Sequence, residues 1–104
     1  MDYLIKPIYC VIPDRDFGAP YPEVLFSSYN VADAVNYRLC CVSYDPSASY
    51  LITTVHPTDI IDEAKKLFAA GIRIGNYEAH EEDLCIVDEL YKEQLFLVLR
   101  SLEA

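Results

Sequence analysis

Tryptophan is absent from this 104-residue chain, methionine occurs once and glycine three times, and eight bases stand against seventeen acids. With only Gly18, Gly71 and Gly75, there is no glycine-rich loop to cradle a phosphate. No apolar run exceeds five residues, far short of the eighteen or so that a bilayer-spanning helix needs. The opening residues show no basic, apolar, small-residue signal pattern, Asp2 departs from the N-myristoylation pattern, and the closing Ser-Leu-Glu-Ala is not a prenylation box. The expectation is a soluble, cytoplasmic protein with no membrane partner. The shortage of Lys and Arg leaves a net charge of −9, a field that repels nucleic acid, because binding phosphates requires cations to neutralise them.

Chemistry-bearing constellations are also missing. The candidates for metal ligation are Cys10, Cys40, Cys41, Cys85, His56 and His80, but no Cys-x-x-Cys or His-x-x-x-His pair places two ligands on one turn. A nucleophilic cysteine needs a base beside it, and His80 sits among Glu81 and Glu82, whose charge opposes thiolate formation. Asp59, Asp62 and Glu63 read as acids of a helix's first turns rather than a catalytic carboxylate pair. The reading is therefore a non-enzymatic protein without cofactor or metal. Adjacent Cys40 and Cys41 on a helix point about 100° apart and are poorly placed to bridge. Free, buried thiols are expected in a chain with a full apolar core.

What the sequence does hold is concentrated near its end. Seven acids (Glu78, Glu81, Glu82, Asp83, Asp88, Glu89 and Glu93) face one base, Lys92, before the apolar run Leu95–Leu99 begins. Leu84, Val87, Tyr91, Leu95, Val98 and Leu102 recur at three- and four-residue steps, predicting one long helix over 78–102 with a buried stripe. Acids lead and Arg100 trails, as the helix dipole favours. A rival reading makes Leu84–Val87 and Leu95–Arg100 two short strands, because short apolar runs are ambiguous in periodicity.

A chain of this length suits one domain, residues 1–104, with a self-sufficient core. Residues 3–12 are rich in β-branched and aromatic types and predict a first strand, with Pro7 placing its first half at an edge. Residues 13–20 form a loop and 21–27 resume strand composition, giving a β-hairpin with a long tip. Phe17 and Tyr21 on that tip either anchor a partner or fold back on the hairpin. Asn30 predicts an N-cap, with Asp33 as an imperfect capping-box partner, for a helix over 31–43 whose stripe is Val31, Ala34, Val35, Leu39 and Val42. Residues 49–56 are the clearest strand and complete a ββαβ unit. Thr58 is the expected cap of a second helix with stripe Ile60 or Ile61, Ala64, Leu67 and Phe68, stopped by Gly71. Ile72–Ile74 reads as a short strand and Gly75-Asn76 as a turn. The fold class is α+β, a small antiparallel sheet packed with two or three helices and ending in a long C-terminal helix.

The nine tyrosines add a second surface feature, because tyrosine offers a large rigid contact with one polar handle. Tyr3, Tyr9 and Tyr50 suit sheet faces. Tyr29, Tyr37, Tyr44, Tyr50, Tyr77 and Tyr91 cannot all be core.

The hairpin, the stretch Phe26-Ser27-Ser28-Tyr29-Asn30-Val31-Ala32-Asp33-Ala34 entering a helix, and Tyr50-Leu51-Ile52 returning as a strand resemble small domains of bacteriophages and mobile elements over residues 1–56. Small size, acidity and the lack of catalytic residues are similar in character to phage-encoded inhibitors of bacterial defence of the anti-CRISPR type, several of which imitate nucleic acid with carboxylates. The resemblance implies action in the host cytoplasm on a protein with a basic surface. On that reading the partner-binding residues are Tyr77, Glu78, Glu81, Glu82, Asp83, Asp88 and Glu89. The alternative is a small regulatory or structural module that self-associates, as a homodimer, through apolar and tyrosine surface.

Overall fold

The computed structural model describes residues 5–18, 23–77 and 89–104. Its architecture is α+β, with strands β1 (Ile8–Pro13), β2 (Phe26–Ser28) and β3 (Tyr50–Val55) and helices α1 (Val31–Tyr44), α2 (Pro57–Ala69) and α3 (Glu89–Glu103). The strands form an antiparallel sheet in the order β2-β1-β3, which realises the expected ββαβ unit.

β1 is the central strand, and residues 5–7, in the half of the predicted strand that Pro7 placed at an edge, stand outside the ladder. Pro7 ends before the ladder begins, so its missing N–H removes no sheet bond. The unbroken run Ile8-Tyr9-Cys10-Val11-Ile12 has the composition of a strand covered on both faces, and all but Tyr9 are buried. β2 begins at Phe26, later than the expected 21–27, and residues 23–25 lie outside it. Between them the chain makes a 3₁₀ turn over Asp14–Asp16. Gly18 adopts a positive φ of 81°, a conformation open to glycine at little steric cost.

Alternation along the strands assigns the two faces. Val11 lies opposite Phe26 on one side and Ile52 on the other, so these three share a face. Phe26 stacks on Tyr37 of α1, with ring centroids 4.5 Å apart and planes at 7°. Ile8, Cys10 and Val55 look the other way, into a core shared with Ile60 and Ala64 of α2 and Leu95, Val98 and Leu99 of α3. The sheet is thus sandwiched, with α1 on one face and α2 with α3 on the other.

Asn30 caps α1 as its sequence predicts, its side-chain oxygen accepting from the Ala32 N–H at 2.9 Å. The cap of α2 differs from expectation: His56 is the N-cap, without a side-chain cap bond, and Pro57 occupies the first turn. Proline suits that position because its fixed φ is helical and its absent N–H would have no partner there. The end of α2 follows the expected glycine stop. Gly71 has φ 88°, its N–H donates to Phe68 O at 3.1 Å, and the Ile72 N–H donates to Leu67 O at 2.9 Å, the paired bonds of a Schellman motif. Ile72–Ile74 is not a strand. The Arg73 guanidinium instead turns back to donate to Phe68 O and Ile72 O at 2.9 and 3.0 Å, stacking 3.8 Å from the Phe68 ring. A second 3₁₀ turn follows over Ile74–Asn76.

α3 carries the predicted stripe in its described part. Leu95 and Val98 are buried, and Tyr91 and Leu102 pack half-buried against the same core. The rival strand over Leu95–Arg100 is excluded, since those residues are helical. Leu84 and Val87, and the first half of the expected long helix, lie outside the described residues. Leu99 and Gln94 are buried as well, which the proposed stripe omitted.

Candidate interaction surface

Of the residues expected to bind a partner, Glu78, Glu81, Glu82, Asp83 and Asp88 lie outside the described residues. Glu89 opens α3 and is exposed. Tyr77 closes the second 3₁₀ turn and is half-buried, meeting the Phe96 ring edge-on at 5.3 Å. Its ring is therefore tied into the core beside the point where the acidic stretch begins.

The remaining described acids are poorly neutralised. Among the described residues the ion pairs belong to Arg15 alone, which reaches Asp16 at 3.6 Å and Glu23 at 3.3 Å. Asp59, Asp62 and Glu89 on the helices have neither an ion pair nor a side-chain hydrogen bond there, and the neighbouring Lys92 instead lies 5.6 Å over the Phe96 ring. A hollow of about 490 Å³ beside the hairpin is lined by Asp14, Arg15, Glu23, Leu25 and Tyr50 among others. The Arg15 cation is already paired with Glu23 of the same lining.

The largest departure from expectation is on α1. Of its predicted stripe only Ala34 is buried, while Val31, Val35 and Leu39 are 47%, 41% and 54% exposed. A three-stranded sheet is narrow, and a helix lying on it buries a thin line of residues. Ala34 is buried, with Arg38, Cys41 and Val42 half-buried around that line. Tyr44 and Phe17 are also open, at 94% and 72%, so Phe17 does not fold back onto its hairpin. Tyr29, Tyr50 and Tyr91 are half-buried, and Tyr37 spends its ring on Phe26. Cys40 is an exposed thiol and Cys41 a half-buried one, correcting the expectation that the thiols are buried; Cys10 is buried.

The buried Gln94 was missed by the sequence reading. It stands three residues after Tyr91 and four before Val98, so helical spacing alone could have placed it on the stripe, although an amide is uncommon in a core.

No group of three or more His, Cys, Asp or Glu side chains converges on a metal-binding geometry among the described residues. No helix among them is long and apolar enough to cross a membrane. The described residues define an α+β fold with exposed, unpaired acids on α2 and α3 and an uncharged exposed flank on α1. No family model, curated protein or solved structure matches the chain.

Proposed function

We propose that this chain is a non-enzymatic binding protein whose carboxylates engage a basic protein surface of the kind that holds nucleic acid, acting as an inhibitor of that site in the manner of phage-type inhibitors of host defence. The observation that supports it is uncompensated charge: seventeen acids against eight bases, with seven of the acids between Glu78 and Glu93. Each exposed pair with a partner's Lys or Arg is worth only about 0–1 kcal/mol, so affinity would come from many at once. A patch of one sign also speeds encounter with the opposite charge.

The test begins by isolating the protein that the tagged chain retains from a bacterial lysate. That partner should lose bound nucleic acid when this chain is added, and the complex should weaken steeply between about 50 and 200 mM salt, the range over which phosphate contacts themselves weaken. Replacing Glu78, Glu81, Glu82 and Asp83 together by Gln or Asn should slow association. The same treatment of Asp59, Asp62 and Glu63 serves as a comparison at another site. If both variants associate like the parent, or nucleic acid stays bound, the carboxylates only solubilise the chain.

A further inference from the structure

Among the described residues no strand pairs with the outer edge of β3, and the outward groups of that edge can be located. The Asp14 N–H donates to Ser49 O at 2.9 Å, one residue beyond the Pro13/Tyr50 pair. In an antiparallel ladder this makes Pro13/Tyr50 a pair without mutual hydrogen bonds, and the two kinds of pair alternate from there. Leu51, Thr53 and Val55 therefore turn their N–H and C=O groups to β1, while Tyr50, Ile52 and Thr54 turn theirs outward. Arg38 supports this phase independently, because its Nε donates to the outward Tyr50 O at 2.7 Å. Among the described residues the outward backbone groups of Ile52 and Thr54 have no partner.

The uncharged stripe of α1 overhangs the same edge. Going round the helix at about 100° per residue, Tyr37 meets Phe26 of β2, Ala34 points at the sheet, and Arg38 reaches the outer side of β3. Continuing in that direction come Val31, Val42, Val35 and Leu39. This flank carries no charge, and β3 itself, Tyr-Leu-Ile-Thr-Thr-Val, has neither a charge nor a proline. Edge strands of monomeric proteins are ordinarily blunted by such residues; here a single arginine guards one end.

We propose that this edge is a homodimer interface, in which β3 pairs antiparallel with β3 of a second copy about a two-fold axis at Thr53. The open groups are self-complementary in that register: Ile52 of each copy exchanges both backbone hydrogen bonds with Thr54 of the other. The two sheets become one continuous sheet, and the Val31, Val35 and Leu39 flanks turn toward each other across the axis. Charge selects the occupant. A basic partner finds no carboxylate on this flank or strand, whereas the flanks of two copies meet here with no like charges in contact, although each chain carries a net charge of −9. The proposed interface uses none of the acids between Glu78 and Glu93, so its test reads different residues from the test of the acidic surface.

Sedimentation of the full chain over a range of concentrations should give twice the 11.8 kDa chain mass, with dimer restored on concentrating a diluted sample. Thr54→Pro removes only an outward N–H, and Val35→Glu places a charge on an exposed position; each should give a folded monomer by circular dichroism. In a Cys40→Ser background, Thr53→Cys oxidised with diamide, which takes up the two thiol hydrogens, should link two chains. The paired Cα atoms at the axis would stand about 4.5 Å apart, within disulfide reach. Thr54→Cys, whose mate is Ile52, should link far less. If Thr54→Pro fails to fold, Val35→Glu and the cross-link decide. A parent that stays monomeric throughout, including one whose edge takes up another protein's strand, overturns the proposal. So does a dimer that survives Val35→Glu, or one that links equally well through both cysteine positions.

Discussion

The Gln94 side chain on α3 donates from Nε2 to the hydroxyl of Tyr29 at 2.9 Å, across 65 residues of sequence, while its Oε1 accepts from the Lys6 backbone N–H at 3.0 Å. One buried amide thereby ties together the C-terminal helix, the segment that enters α1 and the chain leading into β1. Burial of an amide is tolerable because both ends are satisfied. Truncation by Gln94→Ala leaves the Lys6 N–H without this acceptor, and should cost about 1–3 kcal/mol. Tyr29→Phe removes the bond to Gln94 and should cost about 0.5–1.5 kcal/mol. Urea unfolding of both singles and the double variant checks this; the double should be less damaging than the two costs added, because the variants share a bond.

The buried side of α3 should behave differently from its acidic side. Leu95→Ala is expected to destabilise by about 2–5 kcal/mol, since Leu95 is 1% exposed within the main core. Glu93→Ala, on an exposed position of the same helix, should stay within about 0.5 kcal/mol of the parent. Equal midpoints in chemical denaturation for the two variants would contradict the packing of α3.

The stop of α2 rests on backbone conformation alone. A Cβ at Gly71 would meet nothing within 4 Å, yet φ is 88°. Gly71→Ala should therefore cost about 1–2 kcal/mol through left-handed strain. Gly71→Asn should cost less, because asparagine tolerates that region better. A thermal melt compares them, and equal losses would point to packing instead.

Thiol accessibility should divide by position. Cys40 is exposed and Cys10 is buried at 3%, so a thiol reagent added to native protein should label Cys40 quickly and Cys10 only on unfolding. Site-resolved mass spectrometry reads the two rates. Rapid labelling of Cys10 without denaturant would mean that β1 is less protected than its central position implies.

Local signals in the sequence determined much of this protein. The Asn30 cap, the Gly71 stop, the hairpin order and the Leu95–Val98 stripe are each decided by interactions within a few residues, or by periodicity that needs no partner. Charge was equally legible, since it is a sum over residues. Tertiary structure alone decided the rest. Pro7 marked only the first half of the predicted strand as peripheral; that the ladder starts at Ile8, with β1 in the middle of the sheet, is set by pairing with β2 and β3. The α1 stripe has the spacing of a core-facing helix, yet a sheet of three strands is too narrow to cover it, and no residue of α1 encodes the width of the sheet beneath. Gln94 is absent from the predicted stripe; its burial is compensated by Tyr29 and Lys6, distant in sequence and brought beside it only by the fold.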